Sequence, residues 1–534
     1  MRRIIIGLLI FVLLSAWALV RGGFAANYGP QQTVIVARAD IGDILTLDPN
    51  LVYEVAGAEV DHHMYSTLVT FVRGNLTQPQ GQVARSWEVS QDARTYTFHL
   101  NRGIVFTSGN PLTADDVVYT FQRVVNLPKD PAAWLVTQMG IDDKNVLSAV
   151  KAPDPYTVVI ALPKPFSPGA FLSIMANAVT GIVDSKTVKA HVQNNDWGSA
   201  WLNDHSAGSG PYELVNWERQ VALELAANPR YTLGAAPSIK RIVLSNIIEN
   251  TVQREMLGRG DVDIAVDLSA AQLTALKREP KFYVYQIPDL AMRYIAMDVK
   301  NVPAFGKAGV RQAVKYAIDY DGIINGLLNG NGLPLQGVIP KGLFGYDPSL
   351  PFKHDPAKAK SLLAEAGFGN GFTAELLTAT GSASGGISAG DLAAKIKNDL
   401  GAVGVNINVR QIVGSEVFKT YRAQQAQMVC LTWSADYPDP DDFAKPFGDY
   451  TQKSLSWRVQ YYNDALAKLV DQASGLQNTP ERASLYKKVN QMMTEDGPFA
   501  ILYQPMISYG VSKRIQNFVA DPVNSIDFPS ITKQ

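Results

Sequence analysis

Apolar residues along this chain fall into two alternating rhythms. Thr33 to Ala37 and Tyr96 to Leu100 are short runs rich in β-branched and aromatic residues, the pattern of strands. Val117, Val118, Phe121, Val124 and Val125 instead recur at helical spacing behind Thr113, which predicts a helix. Thr113 offers an N-cap hydroxyl, and Asp116 three residues later completes a capping box. Asp355 followed by Pro356 predicts a second helix carrying Leu362, Leu363 and Ala366, with Gly367 to stop it. Leu392 to Leu400 predicts a third, which leads through Gly401 and Gly404 into a strand from Val405 to Val409. Thr479 and Pro480 open a late helix through Tyr486, Val489 and Met492. Strands and helices taken in turn predict α/β lobes rather than a sandwich or a bundle.

The beginning of the chain follows neither rhythm. Arg2 and Arg3 precede an uncharged apolar run from Ile4 to Val20, then Arg21 and the small residues Gly23, Ala25 and Ala26. This is the order of a secretory signal peptide, with cutting expected after Ala25. An uncleaved anchor is the alternative, since a spanning helix needs only about 20 apolar residues. No later stretch is long and apolar enough to span a bilayer. The single cysteine, Cys430, lies far from the signal, so it carries no lipid anchor there and forms no intramolecular disulfide. Beside Leu431 and Trp433 it is expected to be a small buried hydrophobe. The expectation is an exported periplasmic protein that relies on its core rather than on disulfides.

Charge and motifs narrow the function. The formal net charge of −1 becomes about −4 without the three arginines of the signal. That balance does not fit nucleic-acid binding, which leaves a basic footprint. Gly381-Ser382-Ala383-Ser384-Gly385 has Ala at the centre and is no nucleophile elbow. Gly330-Asn331-Gly332 lacks the third glycine of a dinucleotide loop, and no phosphate loop or common zinc pattern occurs. His62 and His63 are adjacent, which points them to opposite faces of a strand or about 100° apart on a helix. A structural role is expected for the pair. Nothing here calls for an enzyme or a cofactor.

Longer segments are more specific. Ala84-Arg85-Ser86-Trp87, Tyr96 to Leu100, Arg102-Gly103-Ile104-Val105-Phe106, Gly109 to Val117 and Tyr119-Thr120-Phe121 together resemble the signature region of the family 5 extracellular solute-binding proteins. This is the oligopeptide, dipeptide and nickel-binding group. Gly208 to Tyr212, Asn228 to Tyr231, Val310 to Ala313, Ala317 to Asp319, Asp355 to Phe368 and Trp433 to Pro440 resemble later markers in the family's order. The resemblance implies an α/β, two-lobed periplasmic binding protein fold of three domains, with an extra domain inserted in the larger lobe and a two-crossover hinge. Behind a signal peptide at 1–25, domain I is expected at 26–72, 200–290 and 505–534, domain II at 73–199 and domain III at 291–504. The implied function is the substrate-binding component of an ABC importer, closing on a small ligand, with a peptide as the first expectation. Its partners are then that ligand and an inner-membrane permease with ATPase subunits, and the protein is expected to be a monomer. A sugar conjugate, opine or metal complex is the alternative ligand; a periplasmic chaperone or hydrolase is a remote alternative.

The resemblance also places the site. Asp436 falls where peptide-binding members hold the ligand's amino terminus, and a carboxylate in a closed cleft suits an ammonium group. Trp433 and Tyr437 are expected to supply flat walls. Tyr53 in the first loop and Trp134 in domain II are further candidates. Asp439, Asp441 and Asp442 are expected to be solvated loop acids. One departure stands out. Dipeptide-specific members carry an arginine for the ligand's carboxylate just before Leu392, whereas Ala379 to Gly385 contains no cation. That departure argues against dipeptide specificity. It points to a longer peptide, or a non-peptide ligand such as a sugar conjugate or opine, held by hydroxyls and backbone groups of the loop. The Gly/Ser/Ala-rich stretch from Thr378 to Gly390 is expected to be mobile or to line the ligand.

Overall fold

The computed structural model describes residues 28–72, 75–127, 132–266, 268–523 and 525–534. The signal segment at 1–25 lies outside them. The expected elements form with shifted ends. Strands run Thr33–Arg38 and Thr95–Leu100. Helix Ala114–Asn126 starts on the capping box, with the Thr113 N–H donating to Asp116 Oδ2 at 2.8 Å. Asp355 caps helix Pro356–Glu365 by accepting the Lys358 N–H at 2.9 Å. Helix Ala389–Gly401 begins three residues before Leu392, because Ser388 Oγ accepts the N–H of Gly390 at 3.1 Å. The strand after it extends to Ile412.

A twelve-stranded mixed sheet runs through both lobes. At one end lie Val405–Ile412, Phe372–Ala379, Met428–Ser434 and Ala291–Met297. At the other lie Thr33–Arg38, Arg241–Asn246, Ala222–Ala227 and Tyr212–Glu218. The two halves meet on one long strand, Phe499–Ser512. Its first half pairs with Ala291–Met297, and its second half pairs with Phe282–Pro288 and Ile264–Ala265. The chain therefore passes between the lobes at two adjacent places, 288–291 and 504–506. A separate four-stranded antiparallel sheet is built from Ala84–Val89, Thr95–Leu100, Thr157–Ala161 and Val150–Asp154.

The cores follow this division. One gathers side chains from 34–65, 183–287 and 507–531, together with Tyr119; a second belongs to 295–503. A third joins the segment carrying the four-stranded sheet to residues of the second lobe, including Tyr437, Phe443 and Phe447. The lobes are thus closed on one another. Polar contacts reinforce the closure: the Ser167 N–H donates to Ser474 O at 2.9 Å, and Asn177 Nδ2 to Asp436 O at 2.8 Å.

Candidate ligand-binding site

Strand Met428–Ser434 delivers the chain to the place where the lobes meet. Its antiparallel register against Ala291–Met297 sets Thr432 opposite Arg293, Trp433 opposite Met292 and Ser434 opposite Ala291. The ladder runs one step further, with the Ala435 N–H donating to Leu290 O at 2.8 Å. Asp436 follows, its N–H donating to Asp442 Oδ2 at 2.7 Å and its carbonyl accepting from Asn177. Backbone bonds in both directions leave this carboxylate little freedom.

The turn after Asp436 is held from below. Arg482, fully buried, grips Asp439 with two bonds of 2.6 and 3.0 Å and donates to the Tyr486 hydroxyl at 3.0 Å. Asp441 pairs with Lys445 at 2.5 Å at the start of helix Asp441–Gly448. The expectation that Asp439, Asp441 and Asp442 face water is therefore corrected: none is more than 2% exposed. The turn packs between lobe elements, each acid has a donor, and the helix N-terminus favours negative charge. Asp442 pays for this position, since burial and nearby Asp436 raise its carboxyl well above the usual range.

Tyr53 reaches Asp436 from the first lobe, its hydroxyl hydrogen-bonded to the carboxylate. The loop before it is anchored by Arg123, which donates to Asp48 at 2.7 and 2.9 Å, both side chains fully buried. Asn50 Nδ2 ties the same loop to Val179 O at 2.8 Å. Burial pushes the Asp436 carboxyl up to about 6, opposed by the Tyr53 bond, which favours the ionised form. Among the described residues no lysine, arginine or histidine forms an ion pair with Asp436.

The other expected residues are placed differently. Trp433 is half-buried, meets Phe447 edge-on at 6.4 Å and donates to Asp442 O at 3.0 Å, so it braces the turn. Tyr437 is 1% exposed within the shared core, its hydroxyl 3.3 Å from Gln138, and presents no wall to a ligand in this closed arrangement. Trp134 lines a recess of about 740 Å³ with Gln138, Phe166, Lys445 and Asp471, whose lining does not include Asp436. His62 and His63 lie on helix Val55–Met64, where burial lowers their values to about 4 and about 3. The His63 ring packs against Phe528 and Tyr212. Among the described residues no cluster of three His, Cys, Asp or Glu side chains is placed to hold a metal.

Three features were not expected from the sequence. Asn177 crosses to the Asp436 backbone. The Gly/Ser/Ala-rich stretch folds as a small hairpin, Ser382–Ala383 on Ile387–Ser388, with the Ser384 carbonyl accepting from the Tyr503 hydroxyl at 2.7 Å. The Ser384 hydroxyl in turn lies 3.0 Å from that of Thr432. Arg293, 6% exposed, stands beside this hairpin and donates to Cys430 O at 2.9 Å and Thr432 Oγ1 at 3.2 Å.

Two α/β lobes joined by two crossing segments, with a carboxylate held where they close, define a two-lobed periplasmic binding protein. Residues 78–454 match the bacterial extracellular solute-binding proteins, family 5 Middle, and the chain belongs to that family. It is 28% identical over 500 residues to the probable D,D-dipeptide-binding periplasmic protein DdpA of Escherichia coli K12, covering 92% of each chain. It is 27% identical over 473 residues to heme-binding protein A of Haemophilus influenzae, covering 86% of this chain and 85% of that one. Among solved structures, the periplasmic binding protein DppA from Helicobacter pylori in complex with the peptide STSA shares the fold. Its TM-score is 0.78 at 23% identity, covering 94% of this chain and 98% of the other.

Proposed function

We propose that this protein is exported behind a signal peptide at 1–25 and serves as the periplasmic substrate-binding component of an ABC importer. It captures short peptides by their free ammonium end, between Asp436 and Tyr53. The single observation that carries this reading is the Asp436 carboxylate: shielded where the lobes meet, fixed through its backbone, and without a cationic partner among the described residues. A ligand ammonium answers that charge with charge-assisted hydrogen bonds. The peptide-binding names of DdpA and the DppA complex point the same way. Domain I at 26–72, 200–290 and 505–534, domain II at 73–199 and domain III at 291–504 account for the grouping of the cores. As a monomer the closed protein delivers its ligand to an inner-membrane permease with ATPase subunits.

Thermal melting of the mature chain tests the reading, because a ligand that binds only the folded state raises Tm by mass action. Di- and tripeptides are expected to raise it in the wild type and to raise it markedly less in Asp436→Asn, whose response to N-acetyl peptides is expected to match its response to free ones. A shift with an uncharged sugar that survives Asp436→Asn would assign the chain a different ligand class.

A further inference from the structure

Arg293 breaks a rule that the other buried arginines keep. Arg38, Arg123, Arg241, Arg311 and Arg482 are all buried, and each is paired with a carboxylate. Arg293 is as deeply placed, yet no ion pair to it is found among the described residues. Its contacts are neutral: the Cys430 carbonyl at 2.9 Å, the Thr432 hydroxyl at 3.2 Å and, at 3.5 Å, the Thr378 hydroxyl. Its Nε–H is buried without an acceptor among the described residues. A buried guanidinium with no counter-charge is costly, and such groups are rarely retained unless an anion completes them.

Its position says where that anion comes from. Arg293 pairs with Thr432 on the ladder, and the next pair on the same face is Ala291 with Ser434. Both are small, and Ser434 is exposed. Asp436 follows two residues later. From Thr432 to Asp436 the extended chain spans about 13 Å. A positive and a negative group thus stand at the two ends of a strip floored by small side chains. The hairpin beside Arg293, from Ala379 to Gly385, brings no charge of its own.

We propose that Arg293 receives the carboxylate of the ligand whose ammonium end Asp436 holds, so that the site selects short zwitterionic peptides. This rests on the assignment of Asp436 above. An extended dipeptide spans about 7 Å and a tripeptide about 10 Å, and the two side chains reach across the remainder. A single α-amino acid carries both charges on one carbon and does not bridge the strip. A sugar leaves both charges unanswered. The fork of a guanidinium also matches a carboxylate in two parallel hydrogen bonds, which neutral groups of the hairpin do not.

Calorimetric titration of the mature protein with di- and trialanine, their C-terminal amides and their N-acetyl forms tests this. The free acids are expected to bind about 30-fold more tightly than the amides in the wild type. Arg293→Gln is expected to abolish that preference, while Asp436→Asn removes only the discrimination against the N-acetyl forms. Equal binding of acid and amide by the wild type, or an acid preference that survives Arg293→Gln, overturns the proposal. A second readout does not depend on peptides. With acetate as the probe, the Arg293 Nε–H resonance, identified by its absence in Arg293→Gln, is expected to shift saturably, and acetamide to leave it in place. If the peptides fail to bind but acetate moves this resonance, the peptide reading falls and the anion site stands. If acetate does not move it, the anion site falls.

Discussion

At the residue scale the chemistry turns on one carboxyl group. Shielding from water raises Asp436 to about 6, above the range of an ordinary aspartate, and the Tyr53 hydroxyl offsets only part of the effect. Only the ionised form attracts an ammonium group. Affinity for a peptide with a free amino end is therefore expected to be constant above about pH 7 and to fall roughly tenfold per unit below about 6. Titrations between pH 5 and 8 check this, with an N-acetyl peptide as the control that shows no such slope. The same shift bears on stability with the opposite sign. A carboxyl whose folded value is raised stabilises the fold when protonated, and that contribution is lost as pH rises from about 4 to about 6. Asp436→Asn is expected to melt above the wild type at pH 7.5 and level with it near pH 4. Asp436 stands out as a candidate in the sequence because its neighbours, Trp433 to Pro440, are a long ordered match. Arg293 does not, because its meaning lies in what it lacks. Only the register that sets it against Thr432, 139 residues away, shows a guanidinium among neutral acceptors.

At the scale of elements, local signals are legible in the sequence and burial is not. Thr113 with Asp116, and Asp355 with Pro356, are short-range devices whose geometry depends on a few consecutive residues, and both form as expected. Thr113→Ala is expected to cost about 1 kcal/mol in chemical denaturation. The acids after Asp436 follow the opposite logic. Their composition is that of a solvated loop, but their burial depends on Arg482, 43 residues further along the chain. That arginine sits on helix Pro480–Glu495, so the Asp439 pair fastens the turn after Asp436 to a helix of the second lobe. Asp439→Ala leaves a buried guanidinium unanswered and is expected to destabilise the protein by about 3–5 kcal/mol in urea unfolding. The start of helix Ala389–Gly401 is hidden in the sequence for a related reason. The Ser388 cap lies in a Gly- and Ser-rich stretch without hydrophobic periodicity, so the apolar rhythm begins after the helix does.

At the scale of the whole molecule, the lobe architecture was expected from ordered motifs, whereas the manner of closure was not. The sheet is continuous through Phe499–Ser512, so the lobes share a hydrogen-bonded spine and move about the short segments at 288–291 and 504–506. Closure then depends on how near the opposite rims approach. Gly169, in helix Pro168–Met175, comes close to the turn that follows Asp436. A Cβ there would lie 3.0 Å from Asp439 Oδ2 and 2.8 Å from Asn478 Nδ2. Asp439 is pinned by Arg482, and the same guanidinium donates to Asn478 Oδ1, so neither side chain yields freely. A side chain larger than methyl at 169 therefore acts on the closed state, because the clash exists only when the rims meet. Gly169→Leu is expected to weaken peptide binding about 10- to 100-fold, the range that overpacking imposes. The three atoms nearest that Cβ belong to Asp439 and Asn478 across the cleft, so the unfolding free energy of the ligand-free protein in urea is expected to stay within about 0.5 kcal/mol of the wild type. Small-angle scattering separates this from a simple loss of contacts: the wild type should contract when trialanine is added, and Gly169→Leu should not, even at saturating peptide. A variant that binds weakly but still contracts fully would show that the lobes close without bringing Gly169 against Asp439.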